Sequence, residues 1–169
     1  NHLSQLGVLG SHVLIGHAVH INDSELETLL HSKTAIASCP WAYLKLGQGV
    51  TKFGRHPEFL SKGGRLSLGC DTENAGDNKD LLSTARLFSG LMQEAKLELD
   101  KPASHYALEL ITISGAEALG LKEEIGSLET GKRADVVLID TSGPSWQPSA
   151  PDPVMQLIWG ANSSDIDSV

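Results

Sequence analysis

Three short apolar segments, each followed at once by a polar or reactive side chain, restrict the possible fold more than any other feature of this sequence. They lead to His17, Cys39 and Asp71. A helix-like segment separates the first two, and a loop with a short helix separates the last two. This alternation predicts parallel strands joined by right-handed crossovers. Functional side chains of such sheets lie at the carboxyl ends of the strands, so we expect His17 and Asp71 to lie close together.

Asp71 is the first candidate for a functional residue. It ends a run in which Leu66, Leu68 and Cys70 alternate with small residues, the pattern of a buried strand. A carboxylate at the tip of such a strand is costly to bury unless something pairs with it. A bound metal ion would explain Asp71 as a ligand or a catalytic base. A turn or helix N-cap aspartate is the alternative, and the strand-end position shared with His17 favours the functional interpretation.

The sequence contains seven histidines, and their positions distinguish candidate functional residues from the others. His17 follows an apolar run, which places its ring at the mouth of the predicted sheet. His20 completes a His-x-x-His pair on a loop, a weak signal that equally suits a simple hydrogen-bonded pair. The others are expected on helix surfaces or loops, exposed to solvent or without an obvious partner: His2, His12, His31, His56 and His105.

His17 and Asp71 do not suffice to hold a catalytic zinc ion. Such sites usually take three protein ligands and keep a further position for water. The metal lowers the pKa of that water, a carboxylate such as Asp71 can take its proton, and His17 can donate to the substrate. The sequence contains no His-x-His or Cys-x-x-Cys pair. The missing ligands are therefore expected outside these 169 residues.

The composition excludes several classes of protein. A net charge of −8 and a single adjacent basic pair, Lys132 and Arg133, argue against nucleic-acid binding. No apolar run approaches the ~20 residues that span a bilayer, so no membrane partner is predicted. The two cysteines lie in apolar runs and no export signal is present, which favours free thiols in a cytoplasmic protein. The chain starts inside a helix-like element without Met, which suggests a fragment.

The second half of the chain is predicted to be largely helical. A long amphipathic helix starts near residue 78, and its Phe88 and Met92 are expected to pack in the core rather than against a cofactor. A second helix is predicted from about His105 to Leu119. Other segments are expected to be a hairpin at residues 125–131, a strand at 134–140, loops at 41–49 and 142–153, and a strand or short helix at 155–159.

Four segments follow one another along the chain in a recognisable order. They are residues 16–21 (GHAVHI), 38–49 (SCPWAYLKLGQG), 68–71 (LGCD) and 125–137 (IGSLETGKRADVV). Their order and rough spacing are similar to successive motifs of the amidohydrolase superfamily. The branch they most resemble contains cytosine- and guanine-type deaminases and triazine and ammeline chlorohydrolases. Four motifs in the same order are far more specific than any one of them alone.

The resemblance implies that residues 1–122 are part of a metal-bearing (β/α)₈ TIM barrel, from about its sixth strand onward. Residues 123–169 would form part of a small composite β-sandwich domain. Family members hold one divalent metal ion, zinc first and iron as the alternative, through a His-x-His, a further His and an Asp. The Asp matches Asp71, whereas the other ligands and the acid/base Glu would precede Asn1. His17 matches the histidine that contacts the attacking water or the substrate.

The implied activity is hydrolysis of a non-peptide C–N bond, foremost the deamination of a purine-, pterin- or triazine-like ring by metal-activated water. The full-length protein would be a homo-oligomer with a small heterocyclic substrate, and the fragment alone would be inactive. The alternative is a non-catalytic α/β module with a structural or interaction role.

The sequence departs from the family on two predicted loops. Trp41, Ala42 and Tyr43 stand where small residues and an Asn are usual, and residues 72–77 differ after the metal Asp. We expect Trp41 to stack on the planar ring and Glu73 to accept hydrogen bonds from ring N–H groups. Packing of Trp41 under its loop and capping of the next helix by Glu73 are the alternatives.

Overall fold

The sheet that carries the candidate residues is parallel, as predicted. The computed structural model describes residues 2–77, 79–96 and 98–169. Strands β1 (Leu14–Gly16), β2 (Ala35–Ser38) and β3 (Leu66–Leu68) pair in the order β1-β2-β3. The register is continuous across the three strands, so their carboxyl ends form one edge.

Helices connect and follow these strands. Numbered in chain order, they are α1 (His2–Gln5), α2 (Asp23–Ser32), α3 (Pro40–Lys45), α4 (Val50–Phe53), α5 (His56–Ser61), α6 (Leu81–Glu94), α7 (Ala103–Leu110), α8 (Ile113–Ala118) and α9 (Pro153–Gly160). A two-stranded antiparallel sheet is formed by β4 (Leu138–Ile139) and β5 (Ile166–Ser168), and short 3₁₀ turns occupy Pro144–Trp146 and Ser163–Asp165.

Helix α2 connects β1 to β2, and local sequence sets both of its ends. The Asn22 side chain accepts from the Glu25 N–H at 3.0 Å, and the Glu25 carboxylate accepts from the Asn22 N–H at 3.0 Å. Such a capping residue typically stabilises a helix by about 1 kcal/mol. Lys33 follows the helix with a left-handed backbone, φ 57°, and turns the chain into β2.

The main core joins the sheet to helices α2, α5, α6, α7 and α9. Ile36 and Leu66 of the sheet pack with Phe59, Phe88 and Met92, and all five side chains are almost completely buried. The prediction that Phe88 and Met92 pack in the core is confirmed. The predicted start of α6 at residue 78 lies outside the described residues, and Asp80 caps the helix as observed.

Residues 155–159, predicted as a strand or a short helix, are part of helix α9. The Asp152 carboxylate accepts from the Val154 N–H at 2.9 Å and caps the helix. Pro153 occupies the first helical position, where its missing N–H costs nothing.

Arg86 ties α9 to α6. Its guanidinium donates to the carbonyl oxygen of Ile158 at 2.9 Å and to that of Ala161. The last helix of the chain therefore packs on the helices that cover the parallel sheet.

Two predictions of local structure were wrong in the first two-thirds of the chain. Residues 41–49 include most of α3, because Pro40 is accommodated at the first helical position. The helix predicted from His105 to Leu119 is divided into α7 and α8, because Thr112 has φ −126° and ψ −104°, outside the helical range.

The predicted strand at residues 134–140 pairs only at β4, because the described residues offer a partner there alone. The predicted loop at residues 142–153 contains a 3₁₀ turn in which Trp146 is buried.

In the described part of the chain, β1 and β3 each pair with β2 only, so the parallel sheet is open at both edges. Its topology agrees with an α/β fold, whereas the complete barrel and the division at residues 122–123 stay predictions. Among the described residues, no helix combines the length and apolar character that crossing a bilayer requires.

Candidate functional site

His17 and Asp71 lie together at the carboxyl edge of the sheet, as the strand-end argument predicted. The Nε2 atom of His17 is 3.8 Å from Oδ2 of Asp71. The His17 side chain is 48% exposed, whereas that of Asp71 is only 15% exposed. The imidazole therefore faces an opening to solvent while the carboxylate lies deeper.

Both residues have left-handed backbones. The φ angle is 72° at His17, 51° at the following Ala18 and 65° at Asp71. Such angles are uncommon for residues other than glycine and cost about 1–3 kcal/mol each. The His17 N–H still donates to the Ala37 carbonyl at 2.9 Å, so the strand ends in a sharp turn at His17 itself. Strain of this kind is typical of functional sites.

Cys39 lies between them, at the end of the middle strand. One ligand atom of each side chain, from His17, Cys39 and Asp71, lies within 4.8 Å of the other two. Burial raises the pKa of the Cys39 thiol to about 11, and the Asp71 carboxylate and Cys70 add to the shift. The thiol is free, as predicted.

His56 was predicted to be exposed, and this prediction was wrong. It is 1% exposed, at the first position of α5, and its ring points towards the end of β1. Its Nε2 atom lies 2.5 Å from the carbonyl oxygen of His17, and its Nδ1 atom lies 3.4 Å from Oγ of Ser38. Burial lowers the pKa of His56, and the nearby His17 ring contributes to this although the carbonyl contact opposes it. The ring is therefore neutral.

Tyr43 fills the space behind the site. Its ring stacks on that of His56, with centroids 5.5 Å apart, and meets the His17 ring edge-on at 5.7 Å. The Cys39 N–H donates to Oη of Tyr43 at 2.7 Å, and this hydroxyl donates to the His17 carbonyl at 3.4 Å. Burial raises the pKa of Tyr43 far above its ordinary value, so the hydroxyl keeps its proton.

The carboxylates that follow Asp71 lie outside the group formed by His17, Cys39 and Asp71. Glu73 is exposed on the turn after the strand, and Asp77 pairs with Lys45. Asp80 caps α6 by accepting from backbone N–H groups, so the alternative in which Glu73 caps this helix is wrong.

Trp41 is the second residue of α3 and is half-buried. Its indole Nε1 is fully buried and has no hydrogen-bond partner among the described residues. His20 lies outside the group around Asp71, since its exposed ring contacts that of Phe53 at a centroid distance of 5.6 Å.

The site fits a divalent cation. Among the described residues, His17 pairs with the poorly exposed carboxylate of Asp71, while the ammonium of Lys79 donates to the main-chain carbonyl of Asp71 at 2.9 Å. A carboxylate oxygen is a zinc ligand, so Asp71 supplies a donor atom of the kind that such an ion takes.

Comparison with known proteins places the chain in the family that its motifs resemble. The model of the amidohydrolase family matches residues 1–165. A 5-methylthioadenosine/S-adenosylhomocysteine deaminase from Moorella thermoacetica is 35% identical over 99% of this chain. The matched region is 38% of the length of that relative.

Two solved structures of deaminases have the same fold as this chain. An adenosine deaminase from Xanthomonas campestris with bound zinc superposes with a TM-score of 0.89 and 26% identity, over 98% of this chain and 37% of that one. The E. coli guanine deaminase superposes with a TM-score of 0.82 and 27% identity, over 96% and 38%. The predicted resemblance to deaminases is confirmed, and the chain belongs to the amidohydrolase family.

Proposed function

We propose that the full-length protein is a metal-dependent deaminase that hydrolyses the exocyclic C–N bond of a purine-like ring. The observation that carries the proposal is the approach of His17 Nε2 to Asp71 Oδ2, 3.8 Å apart at the carboxyl edge of a parallel sheet. A proton donor and a carboxylate on one edge are the groups that addition of water to an aromatic amidine requires.

Asp71 is the residue of this chain that would hold the metal ion, with zinc as the first candidate. When bound, the ion would supply Lewis acidity that brings the pKa of a water close to neutral. The remaining ligands would come from residues outside this sequence, which spans 38% of the length of its Moorella thermoacetica relative.

The two side chains have different roles in the reaction. Oδ1 of Asp71 accepts from the Thr72 N–H at 2.6 Å, which fixes the carboxylate, while Oδ2 faces His17. The carboxylate takes a proton from the attacking water, whose oxygen bonds to the ring carbon. His17 donates a hydrogen bond to the group on which negative charge develops. The carboxyl group of Asp71 then returns this proton to the amino nitrogen as the C–N bond breaks, and the second proton of the water ends on the ring nitrogen. The products are ammonia and the oxo ring.

The substrate class is inferred from the relatives and from two nearby residues. The three relatives described above are a 5-methylthioadenosine/S-adenosylhomocysteine deaminase, an adenosine deaminase and a guanine deaminase. Trp41 would stack on the planar ring, and Glu73 would accept from ring N–H groups. Pterin and triazine rings are the other members of the proposed class. A cytoplasmic location and a homo-oligomeric full-length protein stay predictions from the sequence.

The proposal is tested on purified full-length protein by measuring zinc and iron content together with ammonia release from adenosine, 5′-methylthioadenosine, guanine, a pterin and an aminotriazine. We expect about one divalent ion per chain and release from at least one aminopurine. Protein that carries the metal but releases ammonia from none of the five would overturn the proposal, and so would a metal-free protein that releases ammonia at the same rate.

A further inference from the structure

The carbonyl oxygen of His17 accepts hydrogen bonds from two buried side chains. His56 contacts it at 2.5 Å through Nε2, and Tyr43 contacts it at 3.4 Å through Oη. His56 is 1% exposed and Tyr43 is 0% exposed. The chemistry described above uses the imidazole of His17 and leaves these two residues without a role, although buried polar groups are costly unless they are paired.

The hydrogen-bond pattern selects one tautomer of His56. A carbonyl oxygen can only accept, so Nε2 carries the proton and donates to His17. Nδ1 is then an acceptor, and the hydroxyl of Ser38 donates a hydrogen bond to it at 3.4 Å. Ser38 is the last residue of β2, so this ring joins the middle strand to the end of β1.

The hydroxyl of Tyr43 is oriented in the same way. It accepts from the Cys39 N–H at 2.7 Å, which directs its own proton towards His17. Its ring also stacks on that of His56, with an angle of 23° between the ring planes. The two aromatic rings therefore support each other and donate to the same oxygen.

His17 needs such support because of its backbone. A φ angle of 72° is unfavourable for a side-chain-bearing residue by about 1–3 kcal/mol. The Ala37 carbonyl holds the N–H of His17 at 2.9 Å, and the two donors hold its carbonyl. Because the peptide groups on both sides of His17 are held, the direction of its Cα–Cβ bond is fixed, and the imidazole lies next to Asp71. Release of the carbonyl would let the backbone return to a common conformation and move the ring away.

We propose that His56, supported by Tyr43, is a positioning residue: its Nε2–H holds the carbonyl of His17 and so keeps the His17 imidazole aimed at Asp71. The inference rests on the proposed function for the role of His17, and on the hydrogen bonds above for the role of His56. His56 does not itself reach the substrate, because it lies behind the His17 backbone.

The first test uses two variants of the full-length protein that differ in the donor. His56→Phe keeps a ring that can stack on Tyr43 and removes the N–H, whereas His56→Gln keeps an N–H near the position of Nε2. We expect kcat of His56→Phe to fall roughly 100-fold with KM changed less than about threefold, as for a misplaced catalytic group. His56→Gln should recover at least a tenth of the wild-type kcat. His31→Gln, on the exposed side of α2, is the control and should match wild type.

A second measurement does not depend on turnover. Selective ¹⁵N-histidine labelling of the wild-type protein, with the His56→Phe spectrum for assignment, reports the tautomer of His56. A slowly exchanging Nε2–H with an unprotonated Nδ1 is expected. A proton on Nδ1, or a ring that is charged at pH 7, would overturn the inference.

The outcomes separate the inference from the proposed function. If wild type is active and His56→Phe keeps its kcat, the positioning role is wrong while the deaminase is retained. If wild type releases no ammonia, the proposed function fails and the tautomer measurement alone decides whether His56 holds His17. If His56→Phe does not fold, Tyr43→Phe replaces it, because that variant loses only the hydroxyl; an unchanged kcat in Tyr43→Phe together with the opposite tautomer in wild type would contradict the inference.

Discussion

His17 and Asp71 approach to 3.8 Å although they follow β1 and β3, two strands that are separated by β2. Adjacent strands lie about 4.8 Å apart, so the strand ends themselves are roughly twice that distance from each other. The left-handed turns at both residues bend the two side chains towards each other over the end of the middle strand. The contact is therefore a product of backbone geometry as much as of residue choice.

Replacing Asp71 by Asn in the full-length protein should lower both metal content and turnover. The amide is a weaker metal ligand and cannot take a proton from water. We expect at least a 100-fold loss of kcat, as is common when a catalytic acid or base is removed, together with a substoichiometric metal content by elemental analysis. Asp77→Asn, which removes an exposed partner of Lys45, is the matched control and should retain both. Normal activity in Asp71→Asn would contradict the assignment.

Stability should fall on acidification through a contribution from His56. Burial lowers the pKa of His56 in the folded state, so the unfolded chain binds the proton first. This contribution is complete above the ordinary pKa of 6.5 and is lost as the pH falls below it towards the lower folded value. The slope can reach about 1.4 kcal/mol per pH unit.

The measurement is denaturant unfolding at pH 7.5 and pH 5.5. His56→Gln has no imidazole to protonate, so its free energy of unfolding should change less between the two pH values than that of wild type. Equal changes in the two proteins would show that His56 does not contribute.

Gly76 should tolerate no side chain. A Cβ atom at this position would lie 2.1 Å from the carbonyl oxygen of Cys70, a backbone atom that cannot move without displacing Asp71. Gly76→Ala should therefore reduce metal binding and thermal stability together. Gly143→Ala is the control, since the nearest atom to its Cβ would be Oγ of Ser145 at 3.9 Å. Isothermal titration with zinc and a melting curve distinguish the two variants.

Arg86 should hold α9 against α6. Its guanidinium donates to the carbonyls of Ile158 and Ala161, and hydrogen bonds to a charged group contribute about 1.5–3 kcal/mol. Arg86→Met should raise amide hydrogen exchange throughout α9 and lower the free energy of unfolding. Arg133→Met removes an exposed ion pair with Asp135 and should change neither. Unchanged exchange in α9 would show that other contacts hold the helix.

The parts of this structure that depend on local order could be predicted from the sequence. Short apolar runs alternating with helices imply a parallel sheet, and a parallel sheet places His17 and Asp71 on one edge. The capping residues Asn22 and Glu25 likewise mark the start of α2. Each of these conclusions needs only neighbouring residues and general rules of connection.

The parts that depend on distant contacts could not. His56 is a polar residue beside a proline on a short helix, which suggests a surface position. It is buried instead because its ring binds the carbonyl of His17, which lies 39 residues earlier in the chain. The run at residues 134–140 has strand-forming side chains, but a strand also needs a partner edge. Helix α3 was missed because Gly47 and Gly49 lie just beyond it and the helix is only six residues long.

Cys39, which follows the middle strand β2, is a small side chain next to both His17 and Asp71. Cys39 occupies the gap over which the imidazole and the carboxylate meet, and its sulfur would lie 3.3 Å from a Cβ at Gly69. A bulkier group at position 39 would push the imidazole and the carboxylate apart, and a side chain at position 69 would press on Cys39. The spacing of the imidazole and the carboxylate therefore depends on small residues at positions that carry neither group.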